Sequence, residues 1–330
     1  MEYWLPIIYM VIMGVALLIY VILDGYDLGV GMLLPLAEED EKDMMVSSLG
    51  PFWDANETWI VLGVGVLLIA FPLAHGIVLS TLYVPVTLML MALILRGVAF
   101  DLRVKAGDRH KALWNRAFFG GSLVASMAQG WMLGAYITGL QSTPTSLLFA
   151  ALIALTLPAL YLVLGCGWLL IKAEGALQHK AVLWARKAVW PMALGLVLVS
   201  VATPLISVTI AGKWFSWPNV VVLAPIPLVC ALAFAAIVQV LYRDERIYQG
   251  RSWWLYALTV VVCVMASLGL GYSLFPQIII DRMTIWEAAA SVSSLQFTLV
   301  GVALTLPMIL GYTVFIYRVF RGKSTALSYE

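Results

Sequence analysis

The chain has 330 residues, of which 63% are hydrophobic and only 11% charged; mean hydropathy is +0.98 and formal net charge +1. No water-soluble fold of this size hides that much apolar surface, so lipid is the solvent. The near-neutral balance of charge gives no reason to expect a nucleic-acid or other polyanionic partner.

Nine apolar runs follow one another at roughly 5–24, 51–73, 77–101, 116–139, 147–172, 187–210, 219–242, 253–275 and 295–318. Each has about the 20 residues that a membrane-crossing helix needs. None alternates with period two, as a transmembrane strand does. The expected fold is therefore all-α and polytopic, with about nine transmembrane helices in one integral membrane domain. A first bundle covers about 1–140 and the remaining helices about 141–330.

The first run, opened by "MEYWLP" with no Lys or Arg before it, reads as a retained anchor rather than a cleaved signal peptide. It runs into "DGYDLGV". Asp24 and Asp27 are three apart and share a face if the helix continues; Gly25 and Gly29 form a small-xxx-small pair on an adjacent face, where another helix can approach closely. The second run opens "GPFWDANETW", with Pro51 suited to the first helical position and Asp54 and Glu57 again three apart. The third closes "RGVAFDLR", placing Arg96 one to two turns inside the span and Asp101 near the interface.

Five carboxylates and one guanidinium are thus expected at one depth on three consecutive helices, while the other spans are nearly free of ionisable groups. Such residues in a membrane mark ion or proton paths. Blander readings stay open. Asp54 and Glu57 suit the positive end of a helix dipole. Asp24 and Asp27 suit a polar turn, Arg96 a snorkelling interface residue, and Asp101 with Arg103 a solvated helix end.

The later spans carry Pro158, Pro204, Pro225, Pro227 and Pro307, and the third carries Pro85; kinks are tolerated where neighbouring helices satisfy the freed carbonyls. Cys166, Cys230 and Cys263 sit inside apolar runs without the spacing of a metal cluster or disulfide framework. His75, His110 and His179 fall in connecting segments, so this chain is expected to bind no haem and no metal. Tryptophans gather near span ends as an aromatic belt. Of the nineteen Lys and Arg, all but Lys213, Arg282 and Arg96 fall in one set of alternate loops or at the C-terminus. By the positive-inside rule that side is cytoplasmic, with the N-terminus outside and the C-terminus inside.

"DGYDLGVG", "PFWDANETW" and "RGVAFDLR", in that order and at about that spacing, resemble subunit II of the cytochrome bd-type quinol oxidases; the motifs cover roughly the first 105 residues. The resemblance implies two four-helix bundles plus one peripheral helix. It also implies a multi-pass subunit in a bacterial cytoplasmic (inner) membrane, within a respiratory complex that oxidises quinol and reduces oxygen to water. Its partners would be a haem-bearing subunit I, a very small third subunit, lipids and quinone. Haem b and haem d groups would belong to subunit I, leaving this chain without catalytic residues of its own. The family's proton path, carried onto matching positions, involves Asp24 or Asp27, Asp54 and Asp101, with Glu57 beside them. Arg96 matches the arginine of the third motif and would organise the acids electrostatically. Where some relatives have His before the Trp-Asp pair, this chain has Phe52. It is also shorter than many relatives, as in the cyanide-insensitive branch. A proton-coupled secondary transporter using the same acids is the alternative, though the paired Gly/Pro interruptions of inverted repeats are not found.

Overall fold

A computed structural model describes residues 2–105, 108–243, 245–248 and 250–324. The side chains of Arg109 and Arg246, two of the basic residues above, lie outside that description. Nine helices of 18 residues or more are found among the described residues. In chain order the helices are α1 (Trp4–Leu33), α2 (Glu39–Ser47), α3 (Trp53–Ala70), α4 (Pro72–Thr81), α5 (Tyr83–Lys105), α6 (Asp108–Ile137) and α7 (Pro144–Lys172). They continue with α8 (Gly175–Ile206), α9 (Val208–Phe215), α10 (Asn219–Leu223), α11 (Pro225–Arg243), α12 (Trp254–Leu274), α13 (Ile285–Ala288) and α14 (Val292–Val319). Gln277–Ile279 and Met283–Thr284 pair as an antiparallel hairpin between α12 and α13.

Among the described residues, eight of the long helices hold a stretch long and apolar enough to cross a membrane. The other, α6, is long enough at 30 residues but more polar. Its polar groups point inward: Ser122, Ser126 and Gln129 are buried, and both serine hydroxyls donate to the carbonyl four residues back. A hydroxyl satisfied by its own helix is tolerated inside a bundle.

Several boundaries differ from the sequence expectation for local reasons. The first span does not end at Asp24; α1 continues without a break to Leu33, so no polar turn lies there. At about 1.5 Å per residue it outruns a hydrocarbon core of about 30 Å. The second apolar run is cut short at Phe71, and α4 takes its last two residues together with the start of the third run. The sixth breaks at Ser207, whose hydroxyl caps α9 by accepting from the Ile210 amide. Pro225 opens α11, a position where its missing N–H costs nothing.

Helix α1 packs against α3, α6, α7 and α12; α5 against α6; α7 against α6, α8 and α12; α11 against α8 and α12. The long helices therefore form two groups of four, α1/α3/α5/α6 and α7/α8/α11/α12, joined where α1 and α6 meet α7. Gly29 and Gly165 set the closest approach. A Cβ on Gly29 would lie 1.9 Å from the Tyr161 carbonyl oxygen, and one on Gly165 would lie 2.7 Å from the Gly29 carbonyl carbon. Only glycine at both positions lets the two backbones touch. Gly25, one turn earlier, faces the Tyr161 ring. Helix α14 lies outside both groups against α3 and α1; of its residues only Leu295, Val302 and Ile316 are buried.

The two ends are closed differently. One end is bound by charge: Lys180 meets Glu38 and Glu41 at 2.8 Å each, and Asp43 meets Arg103 at 2.6 Å and Lys111 at 2.8 Å. There Lys172 Nζ donates to the Phe320 carbonyl at 2.6 Å and lies 4.8 Å from the centre of the Phe52 ring. At the other end the hairpin, α13 and α4 form an apolar cap. Tyr136 donates to the Ile278 carbonyl, Tyr9 to the Leu295 carbonyl (2.7 Å) and the Ala290 amide to the Ala70 carbonyl (2.9 Å).

Candidate functional site: a buried acid cluster around one arginine

Helix α1 buries a stripe at helical spacing: Tyr9, Met13, Ala16, Tyr20, then Asp24 and Asp27. The stripe faces the bundle interior, and the two acids inherit its direction. Arg96 on α5 and Glu57 on α3 meet it there. Arg96 Nη2 lies 2.8 Å from Asp24 Oδ1 and 2.7 Å from Glu57 Oε1, so a single nitrogen ties carboxylates on two helices to a third. Asp24, Asp27 and Arg96 are 0%, 1% and 2% exposed, which leaves solvent no part in balancing them. Arg96 is therefore not a snorkelling side chain.

Asn56 on α3 joins Asp27 to the frame. Its Nδ2 donates to Asp27 Oδ2 at 2.7 Å and to the Tyr26 hydroxyl at 2.9 Å. The Tyr317 hydroxyl on α14 donates to Asn56 Oδ1 at 3.0 Å and lies 2.6 Å from the Tyr26 hydroxyl. Neither oxygen of Asp24, nor Asp27 Oδ1, nor Arg96 Nη1 makes a hydrogen bond among the described residues; Asp24 is held by its ion pair with Arg96. Asp27 and Arg96 line a cavity of about 10 Å³, walled by Leu49, Trp53, Phe100 and Phe118. That is about the space of one water. One turn deeper on α1, the Tyr20 hydroxyl accepts from Gln129 Nε2 at 2.8 Å, and Tyr161 donates to Gln129 Oε1. Polar groups thus run from the cavity past Asp27 and Asp24 to Gln129.

Not every expected residue belongs to this cluster. Asp54 and Asp101 are exposed, and neither joins it by hydrogen bond or ion pair. Arg103, read as part of a solvated helix end, is 3% exposed and held by Asn115 Oδ1 and Asp43. Phe52 is packed against Trp168 and Tyr317, with ring centres 5.1 and 4.8 Å away, so that position holds an aromatic wall rather than a polar step. Asn56, Gln129, Tyr26 and Tyr317 went unremarked from the sequence. The usable signal was an amide inside an apolar span, where each unpaired N–H or C=O is costly.

No histidine is buried inside the bundle. His110 and His179 are exposed, His179 stacking on Tyr248 at 4.2 Å, and His75 lies half-buried on α4 at the apolar end. No group of three potential metal ligands occurs among the described residues.

Residues 5–320 match the family described as "Cytochrome bd terminal oxidase subunit II". The chain is 25% identical over 337 residues to the cytochrome bd ubiquinol oxidase subunit 2 of Bacillus subtilis, covering 96% of each. It is 25% identical over 368 residues to the cytochrome bd-I ubiquinol oxidase subunit 2 of Escherichia coli K12, covering 97% of this chain and 95% of that one. A chain in the structure of bd oxidase from Geobacillus thermodenitrificans shares the fold with a TM-score of 0.75 and 18% identity, over 96% of this chain and 98% of that one. With all but the extreme ends of the sequence matched, the chain belongs to the cytochrome bd terminal oxidase subunit II family.

Proposed function

We propose that this chain is the haem-free subunit of a bd-type quinol:oxygen oxidoreductase in a bacterial cytoplasmic membrane, paired with a haem-bearing subunit I and a very small third subunit. We further propose that its buried acid cluster carries protons inward from the cytoplasmic side. The family membership supports the complex, and it does not favour the transporter alternative. The observation that carries the proton reading is the imbalance at Arg96: the buried Asp24 and Asp27 and the partly exposed Glu57 surround one guanidinium. An unbalanced buried charge is too costly to persist, so the acids hold exchangeable protons. An unpartnered oxygen on Asp27, which lines a water-sized cavity, gives those protons somewhere to go.

In the complex, haem b and haem d supply electron transfer and oxygen reduction, with quinol as the electron donor. Oxygen reduction to water consumes one proton per electron. Arg96 fixes Asp24 and Glu57; Asn56 holds one oxygen of Asp27 and leaves the other to the cavity. The basic end of the molecule, by the positive-inside rule, faces the cytoplasm. Asp54 and Asp101 on the exposed surfaces of α3 and α5 serve at most to collect protons there. The test is copurification. Expressed alone, the chain should be colourless; coexpressed with its partner subunits it should bring down a larger chain carrying haem absorption. A stoichiometric haem spectrum from the single chain would sink the assignment of the haems to subunit I.

A further inference from the structure

The peripheral helix α14 has little apolar contact with the rest of the fold, yet one of its side chains reaches the acid cluster. The Tyr317 hydroxyl, Asn56 amide and Tyr26 hydroxyl close a ring. Tyr317 donates to Asn56 Oδ1, Asn56 Nδ2 donates to Tyr26, and Tyr26, with its own proton free, donates to Tyr317. A tyrosine hydroxyl has one proton, so each member gives once and accepts once within the ring. The second N–H of Asn56 is then left for Asp27 Oδ2 at 2.7 Å, with the Leu23 carbonyl a longer contact at 3.4 Å.

The sense of the amide follows from the carboxylate beside it. Turned over, Asn56 would set its carbonyl oxygen 2.7 Å from an Asp27 carboxylate oxygen and its NH₂ toward the Tyr317 hydroxyl. The first contact is repulsive whenever Asp27 is ionised, and the second reverses the donors around the ring. The site is buried, with Asn56 at 0% exposure, so water cannot repair either.

We infer that Tyr317 is a positioning residue for Asp27, acting through the Asn56 amide, so that the peripheral helix sets the hydrogen bonding of the acid cluster. This rests on the proton-uptake reading for its effect on turnover, but not for its effect on Asp27 itself. Tyr317→Phe removes only the hydroxyl and keeps the ring against Phe52 and Trp168, 4.8 and 5.9 Å away, so the complex should assemble.

The experiment uses the whole oxidase with the chain labelled with carboxyl-¹³C aspartate. The infrared feature removed by Asp27→Asn reports Asp27 in either protonation state. Tyr317→Phe should shift that feature and slow oxygen consumption about three- to tenfold, the usual scale of one lost hydrogen bond. Tyr26→Phe, which leaves the Tyr317 donation in place, should shift it less. Thr313→Val is the control. It removes the bond at 3.3 Å from Trp59 Nε1 to α14 without touching the ring. It loosens the helix but should leave the Asp27 feature where it is. An unchanged feature in Tyr317→Phe overturns the inference, as does an equal shift in Thr313→Val. A shifted feature with wild-type turnover leaves the positioning role standing and removes the proton-uptake reading instead.

Discussion

Two buried arginines, Arg96 and Arg103, lie seven positions apart on one helix, and their surroundings are built on opposite terms. Arg103 divides its donors: Nε to Asn115 at 2.5 Å, Nη2 to Asp43 at 2.6 Å, with Lys111 on the other Asp43 oxygen at 2.8 Å. There two cations answer one carboxylate, and the result joins α2 to α5 and α6. Arg96 offers one nitrogen to two carboxylates, leaves Nη1 unbonded, and has a third acid beside it. The first arrangement is what a structural tie requires. The second leaves surplus acid and free lone pairs, which is what exchangeable protons require and what a tie would avoid.

The largest expected effect comes from removing the cation of the second site. Arg96→Leu leaves the fully buried Asp24 and the partly buried Glu57 together without a cation. Removing one partner of a buried pair costs about 3–5 kcal/mol, enough to deplete assembled complex. Arg96→Lys keeps the charge and one nitrogen able to meet two carboxylates, but on a shorter and more flexible stem, so partial yield is expected. Haem-containing complex per cell measures both. If Arg96→Leu assembles fully, Arg96 is as dispensable as a surface residue and the contrast with Arg103 disappears.

Next in size are Asp24→Asn and Asp27→Asn, which keep the shape and remove the exchangeable proton. Complex and haems should be retained while oxygen consumption falls by about ten- to a hundredfold, at or below the low end of the usual effect of losing a proton-transfer group. Asp27, beside the cavity, should show the greater loss. Wild-type rates and proton uptake in both variants would reduce the cluster to a structural one.

How much of this was legible beforehand depends on helical geometry. The α1 stripe from Tyr9 to Tyr20 points the same way as Asp24 and Asp27, so their burial could be read from spacing. On α3 the same reasoning, pressed further, would have excluded Asp54. The buried face is Asn56, Trp59, Gly63, Val66 and Ala70, and Asp54 lies about 200° around from Asn56 at 100° per residue. Grouping five acids by depth alone lost that angular information. Tyr317 was out of reach for another reason: more than 250 residues separate it from Asn56, and no local pattern marks a contact across that distance. Nor does the fold decide which end is cytoplasmic; that reading rests on the placement of basic residues.

The Arg103 site gives a smaller and pH-dependent effect. Burial opposes the charge on Asp43, but hydrogen bonds from Lys111 and Arg103 outweigh it and hold its carboxyl below the usual range. Glu41 is lowered in the same way: burial opposes, and the bond from Lys180 and the Glu38 amide prevail. A carboxyl lowered in the folded state stabilises fully above its unfolded pKa of about 4 and loses that contribution as pH falls through the folded value. Hydrogen exchange of the α2 amides should therefore stay slow from neutral pH down to about 4 and lose protection below it. Asp43 is 44% exposed, so Asp43→Asn should cost less than about 1 kcal/mol at neutral pH. It should also flatten the acid dependence, leaving the Glu41 part. An unchanged acid profile would mean that α2 is held by its apolar residues, Met45 and Val46, and not by charge.

The smallest effect separates collecting protons from relaying them. Asp54 and Asp101 stand on exposed faces, outside hydrogen-bond reach of the Arg96 cluster. A carboxylate at a water-facing surface that gathers protons can be replaced by water itself, whereas one in a dry interior cannot. Asp54→Asn and Asp101→Asn should therefore keep turnover within about twofold of wild type near neutrality, well above the Asp27→Asn rate, where a relay role would predict the ten- to hundredfold loss. Any deficit should grow toward high pH, where free protons are scarce and a surface collector matters most. Oxygen consumption from neutral to alkaline pH, in both variants and in the double variant, reads this directly. A tenfold loss already present at neutral pH, with haems intact, would place these two acids in the relay. It would mean that their exposed faces are covered in the assembled oxidase, so that exposure in the isolated chain misjudged where water ends.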